Sequence, residues 1–372
     1  MRAEKDFQNI ETDIRLRKNK GVVISALFFL VIAVGLLFSV FSRGENIKRW
    51  SVANTFMSSD QTTADDTLLA CDRVEKNNKE REKLDIMFED LVLEEPNAPV
   101  KVMGMGNFYA RAKAAVSIDA DTHTILHYQN GKEKMAIASL TKIMTAVLAV
   151  EKIENLDNEY VTIDDEVFAT DGTKIGCPRS GYCISNHLQV GEEISARYLF
   201  EAMLMNSAND AAVALAKHIA GSQENFAKMM NEKARQLGLT DSNFCNPSGL
   251  DDDDNPKACY SSAYDIARIA AYSLKYKEIW DVMKIKEKDI FSKDGKIVHH
   301  IINTDILIDQ IPNCLGGKTG FTYEAGKSLM MAAHHPADKE KIVVAVLLDD
   351  VYRWEDMPDL INWSFQAYNW LE

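Results

Sequence analysis

Apolar and polar positions alternate along this chain in three regimes. The first is Gly21 to Ser42, 22 residues without a charge. As a helix rising about 1.5 Å per residue, that run spans roughly 33 Å, enough for a hydrocarbon core of about 30 Å. Arg15, Arg17, Lys18 and Lys20 stand directly before it, a bias that keeps the preceding residues in the cytoplasm and sends the rest outward. The expectation is a cytoplasmic tail over 1–20 and a single-pass transmembrane anchor over 21–42. A cleaved signal peptide is the rival, with Ser39 and Ser42 as small residues near a processing site. The second regime, 43–105, mixes Thr/Ser/Asp-rich stretches with dense charge from Lys76 to Glu95. Leu84, Met87, Phe88, Leu91 and Val92 recur at helical spacing ahead of Pro96 and Pro99. An extracytoplasmic stalk with one short amphipathic helix is expected there.

The third regime, 106–370, patterns as one folded domain. Ala114–Ile118 and Thr124–Tyr128 predict two strands around the turn Asp119–Thr122. Ile137–Ile153, Ser195–His218, Gln223–Leu237 and Ser262–Leu274 carry apolar residues at helical spacing. Leu329–Ala333 and Lys341–Leu348 predict strands, the second rich in β-branched residues, and Pro358–Trp370 predicts a closing helix. Strands at both ends with helices between them argue for one α/β or α+β unit whose terminal strands share a sheet.

Composition narrows the function. The 372 residues hold 46% hydrophobic positions, which excludes a disordered chain, and a net charge of −14 disfavours nucleic acid as a partner. The eight histidines include no H-E-x-x-H pair, and His334-His335 before Pro336 predicts only a loop at a strand end. Asp251–Asp254 lacks the spacing of a calcium loop and predicts a solvated acidic turn. G-x-x-x-x-G-K-S/T is absent, which excludes a Walker-type phosphate site.

Three short constellations carry candidate chemistry. Ser139-Leu140-Thr141-Lys142 places a hydroxyl and an amine three apart at a helix start, on one face. The lysine can take the serine proton if burial or neighbouring cations lower its pKa; a helix cap is the plainer reading of Ser139 alone. Ser207-Ala208-Asn209 sets a hydroxyl and an amide two apart after an apolar run, or merely interrupts a helix. Lys318-Thr319-Gly320, after Gly316-Gly317 and before a strand, can hold a carboxylate while glycine admits substrate to the backbone. It could equally be a glycine-rich turn with a solvated lysine.

Taken together, in this order and separated by 68 and 111 residues, the three match the S-x-x-K, S-x-N and K-T-G signature of penicillin-recognising serine enzymes. From about Phe108 to Phe365 the chain resembles the low-molecular-weight penicillin-binding proteins, the serine-type D-alanyl-D-alanine carboxypeptidases. Ala138–Ala146, Met205–Ala212, Asn246-Pro247-Ser248-Gly249-Leu250, Ala263–Ala267 and Lys318–Thr322 with Ala325-Gly326 carry the likeness. It implies an antiparallel sheet flanked by helices plus an all-helical subdomain, with a cleft between them. It implies Ser139 as nucleophile, Lys142 as its base, and Ser207 and Asn209 as proton relay and positioning group. Lys318, Thr319, Gly320, Phe321 and Arg353 would bind substrate, and the N–H groups of Ser139 and Phe321 would form an oxyanion hole. The implied partners are cell-wall stem peptides ending in D-alanyl-D-alanine, and β-lactams as acylating inhibitors; no metal or cofactor enters.

Two features depart from the family pattern. Phe321 stands where some members have histidine, so no mechanism needing an imidazole there applies. Members often carry a β-rich domain after the catalytic one; seven residues follow Phe365 here, and the expectation is that this chain lacks it. A β-lactamase is the nearest chemical rival. It would need a carboxylate to drive water onto the acyl-enzyme, and Glu166, in a strand-like context, is the nearest candidate. Endopeptidase or transpeptidase activity is a further rival, as is a non-catalytic wall-binding protein.

The six cysteines fit an extracytoplasmic location, where disulfides persist. Cys177 and Cys183 bracket a turn-like stretch, and Cys245 and Cys259 bracket the acidic segment, so two short-range bridges are expected. Four buried thiols or a zinc site would also fit these positions. Cys314 is left as a free thiol, and Cys71, alone in the stalk, is either unpaired or a link between two chains of a homodimer.

Overall fold

The structure is a computed structural model that describes residues 98–370, apart from 179–181, 253–254 and 256. The expected anchor over 21–42, most of the expected stalk and Cys71 lie outside the described residues. No helix among those described is long and apolar enough to cross a membrane.

In chain order, strand β1 (Val100–Lys101) precedes the hairpin β2 (Ala114–Asp119) and β3 (Ile125–Gln129). A 3-10 turn over Ala138–Thr141 runs into helix α1 (Lys142–Lys152). Then come β4 (Tyr160–Thr162), α2 (Asp165–Ala169), β5 (Glu193–Ser195), α3 (Ala196–Met205), α4 (Asn209–Ala220) and α5 (Gln223–Gln236). Helices α6 (Ala263–Ser273) and α7 (Lys277–Met283) lead to the hairpin β6 (Glu287–Phe291) and β7 (Val298–Ile302). The chain closes with β8 (Cys314–Thr322), β9 (Gly326–His334), β10 (Ile342–Leu348), α8 (Arg353–Gln366) and β11 (Tyr368–Asn369).

The main sheet has five antiparallel strands in the order β3-β2-β10-β9-β8. Val346 faces Val116, so the first hairpin lies beside the last long strand and the ends of the domain share one sheet. Strand β10 is apolar throughout because both its faces are covered. Val344, Val346 and Leu348 pack with Val116 and Ile118 under the helical region. The alternate residues Val343, Ala345 and Leu347 pack against Met357, Leu360 and Ile361 of α8. Each of these side chains apart from Ala345 contributes about 1.5–3 kcal/mol on burial. Four helices begin on side-chain caps: Asp164, Ser195, Ser222 and Ser262 each accept a backbone N–H three residues on, worth about 1 kcal/mol apiece.

Several expectations are corrected. The single helix expected over Ser195–His218 is two, α3 and α4, broken where Ser207 takes φ 59°. Asn206 and Asn209 donate there to the carbonyls of Asp171, Thr173 and Lys174, and the Ile175 N–H donates to Asp210, contacts that override helical propensity. Strand β1 pairs with β11 (Val100 opposite Asn369), so the chain joins the domain before the boundary expected at 106. The same pairing ends the closing helix at Gln366, and that helix starts at Arg353, with Pro358 inside it rather than at its head. Glu166 lies not in a strand but in the short helix α2, capped by Asp164.

Cys177 is bonded to Cys183 and Cys245 to Cys259, with Cα separations of 3.9 and 5.4 Å. Cys314 is a free, half-buried thiol.

Candidate active site

The turn that carries Ser139 is wedged from two sides. Ala138 adopts φ 48°, and the loop after Asn246 packs against it so closely that a Cβ on Gly249 would sit 1.9 Å from the Ala138 carbonyl oxygen. On the other side runs β8, an edge strand, where a Cβ on Gly320 would meet the Ile137 carbonyl at 2.9 Å. Glycine at 249 and 320 is therefore a condition of the turn's placement. Thr145 ties α1 to the same loop by donating to the Pro247 carbonyl at 2.7 Å.

Lys142 starts α1 and is wholly buried. Its Nζ donates to Ser139 Oγ at 2.9 Å, to Asn209 Oδ1 at 2.7 Å and to the Ser248 carbonyl at 2.5 Å. None of the three acceptors is a carboxylate. Burial holds the Lys142 ammonium well below the usual lysine range, and the charge of Lys318 pushes the same way against a smaller opposing pull from Asp210. Ser139 does not cap the helix. Its hydroxyl is partly exposed with an amine poised on it, which is the geometry of an activated nucleophile.

Asn209 opens α4 under tight restraint. Its Nδ2 donates to the Asp171 carbonyl at 2.9 Å and its backbone N–H to the Thr173 carbonyl at 2.7 Å, which turns Oδ1 toward Lys142. Asn206 Nδ2 donates to the Lys174 carbonyl at 2.8 Å. The buried Asp210 carboxylate accepts from the N–H groups of Ile175 and Ala211, and burial pushes it up to about 6. The stretch 171–175 is thus a splint on the Ser207–Asn209 break, and the Cys177–Cys183 bridge closes the loop that follows it.

Lys318 is also buried, and its Nζ donates to Ser207 Oγ at 2.9 Å and to the Thr319 carbonyl at 3.0 Å. Burial brings it down to about 7, with Asp305 raising it and Arg353 lowering it further. Thr319 shares a 2.6 Å hydroxyl–hydroxyl hydrogen bond with Thr304. Phe321 stands exposed at the end of β8, edge-on to the exposed Tyr323. Arg353 donates to the carbonyls of Gly320 (2.9 Å) and Ser328 (3.1 Å), so its charge sits behind the backbone of β8.

The candidates named from sequence therefore fall into two linked groups. Ser139, Lys142 and Asn209 form one; Ser207, Lys318 and Thr319 form the other, with Gly320, Phe321 and Arg353 around them. Four participants carry no signal in sequence patterns: Asp171, Thr173, Thr304 and Asp305. Ser248 and Asn246 stand in a segment that marks the family resemblance, without a role assigned from it. Asn246 Oδ1 accepts from the N–H groups of Ser248 (3.1 Å) and Gly249 (2.7 Å) and so shapes the loop that presents the Ser248 carbonyl. Glu166 is committed elsewhere: it is ion-paired with Lys217 and accepts from Gln223 Nε2 at 2.8 Å. Cys177, Cys183 and His187 lie close together, but the two sulfurs are bonded to each other.

The sheet and the paired lysines define a penicillin-recognising serine peptidase fold. Residues 102–351 match the Peptidase_S11 family, D-alanyl-D-alanine carboxypeptidase, and the chain belongs to that family. It is 37% identical over 257 residues to the D-alanyl-D-alanine carboxypeptidase DacF of Bacillus subtilis, which covers 69% of this chain and 63% of the relative. It is 31% identical to DacC of Escherichia coli, over 68% of this chain and 63% of that protein. The chain thus spans a little under two thirds of the length of these curated relatives. Among solved structures it resembles a serine-to-alanine mutant of a Streptomyces DD-transpeptidase, with TM-score 0.62, 26% identity, and coverage of 70% of this chain and all of that one. It also resembles a penicillin-binding protein of Listeria monocytogenes in its ampicillin-bound form, with TM-score 0.58, 28% identity, and coverage of 70% and 99%.

Proposed function

We propose that this chain is a serine D-alanyl-D-alanine carboxypeptidase, acting outside the cytoplasm from an N-terminal membrane anchor on peptidoglycan stem peptides. The observation that carries the reading is the Lys142 amine, buried without a carboxylate partner and 2.9 Å from Ser139 Oγ. A neutral amine there accepts the serine proton as Oγ attacks the penultimate D-Ala carbonyl. The developing oxyanion would be met by the N–H groups of Ser139 and Phe321, and the tight packing of Gly320 against the Ile137 carbonyl supports that assignment; one such donor is worth about 3–4 kcal/mol. As the C–N bond breaks, Ser207 passes a proton to the departing D-Ala amine. Lys318 and Thr319, with the charge of Arg353 behind the strand, would hold the terminal carboxylate. Water then hydrolyses the acyl-enzyme, and β-lactams would acylate Ser139 by the same route.

The test is incubation with a fluorescent penicillin followed by peptide mapping, with a parallel assay of D-Ala release from a pentapeptide. Label on Ser139 together with released D-Ala supports the reading. Label with transfer to an amino acceptor instead of release would favour a transpeptidase, and rapid turnover of the penicillin a β-lactamase. Glu166, tied to Lys217, speaks against the latter.

A further inference from the structure

Behind β8 lies a segment that the mechanism above does not use. Asn303 Nδ2 donates to the carbonyls of Met283 and Ile285, both at 2.9 Å. The Thr304 N–H donates to the Met205 carbonyl at 3.0 Å, and its hydroxyl meets Thr319. One dipeptide therefore spans from the end of α3, two residues before Ser207, to the lysine-bearing strand. Asp305 follows, 3% exposed. Its Oδ1 accepts the Leu307 N–H at 2.9 Å, and Oδ2 has no hydrogen-bond partner. A Cβ on Gly317 would lie 2.4 Å from that Oδ2, so the carboxylate is pressed against the backbone one residue before Lys318.

An unpaired buried carboxylate oxygen is costly unless opposite charge faces it. The groups that face Asp305 are Lys318 and the Cys314 thiol on β8, and Arg353 at the head of α8; Asp350 faces Arg353 as well. Lys318 and Arg353 repel each other, and the Arg353 Nε likewise lacks a partner. A carboxylate placed behind them is what allows two cations to share so dry a site.

We infer that Asp305 is a positioning residue of the carboxylate-binding arm: wedged under Gly317, it keeps Lys318 charged and fixes the stretch of β8 that would hold the substrate's terminal carboxylate. The inference rests on the carboxypeptidase reading for its substrate, but not for its electrostatics. Removing a nearby anion disfavours the ammonium form, so Asp305→Asn lowers the Lys318 pKa.

The direct test is a titration of the full chain with 13Cε-labelled lysine by NMR, the Lys318 signal being the one lost in Lys318→Arg. The wild-type midpoint is expected near 7, and Asp305→Asn moves it down by about one pH unit or more. In the same variant, KM at pH 7 for an acid-ended D-Ala-D-Ala peptide rises about fivefold or more, following the lost charge. It recovers as pH falls, and the amide-ended peptide is unaffected. A midpoint that stays or rises, or equal losses on both peptides, overturns the inference. Should Asp305→Asn not fold, the reciprocal holds: Lys318→Met must raise the Asp305 carboxyl midpoint from about 6, and an unmoved midpoint overturns the inference equally. A wild-type chain that releases no D-Ala would defeat the carboxypeptidase reading alone, and the two midpoints would still decide the role of Asp305.

Discussion

Two buried lysines anchor this site, and their surroundings differ. Lys142 is held by a hydroxyl, an amide oxygen and a backbone carbonyl, all uncharged. Lys318 contacts a hydroxyl and a carbonyl but has the carboxylate of Asp305 behind its strand. Neutral dipoles can orient an amine without forcing it to keep its proton; a buried anion favours the ammonium. On the proposed reading the same side chain would serve as a proton acceptor at one position and as an anion holder at the other.

Removing either partner of the first half breaks the contrast most severely. Ser139→Ala and Lys142→Ala should each cut penicillin acylation by about a thousandfold or more, as groups acting as a unit do. Unchanged circular dichroism would separate this from unfolding, and substantial residual labelling of Ser139→Ala would place the nucleophile elsewhere. In the second half, Lys318→Ala should raise KM for acid-ended peptides by about 10- to 100-fold, the range of a lost charged hydrogen bond. Normal discrimination between acid and amide in that variant would refute the assigned role.

The two disulfides sharpen the comparison, because only one adjoins the splint on Asn209. Replacing Cys177 and Cys183 by serine should slow acylation several-fold while the domain stays folded, since site geometry tolerates less error than stability does. Replacing Cys245 and Cys259 should cost about 2–3 kcal/mol in denaturant unfolding. Equal acylation rates with and without the first bridge would reject its coupling to the Ser207–Asn209 break. The smallest effect is expected at Ser262→Ala, about 1 kcal/mol of stability from a lost cap, with acylation unchanged.

Much of this was legible in sequence because it is local. The short apolar runs of β2 and β10 and the apolar spacing of Phe226, Met230 and Ala234 in α5 follow from neighbours along the chain. The three motifs lie far apart in sequence, and it is their order that gives them weight. What stayed hidden depends on tertiary contact. The break at Ser207 follows from hydrogen bonds donated and accepted by residues some thirty positions away. Strands β6 and β7 escaped because Glu287, Lys288 and Asp289 give the hairpin a charged look, and only pairing reveals it. Asp305 reads as one acid among 56 Asp and Glu; burial under Gly317 is what sets it apart.

The division of labour between the two lysines is tested most directly by the pH profile of kcat/KM for D-Ala release, from acid-ended and amide-ended peptides side by side. Lys142 must be neutral, so activity should rise as pH climbs through its depressed pKa. Lys318 must be charged to hold a carboxylate, so activity on the acid-ended peptide should fall as pH climbs through about 7. These limbs report the interacting pair as a whole. The account predicts a bell for the acid-ended peptide and loss of this falling limb for the amide. A falling limb near 7 shared by both peptides would contradict it.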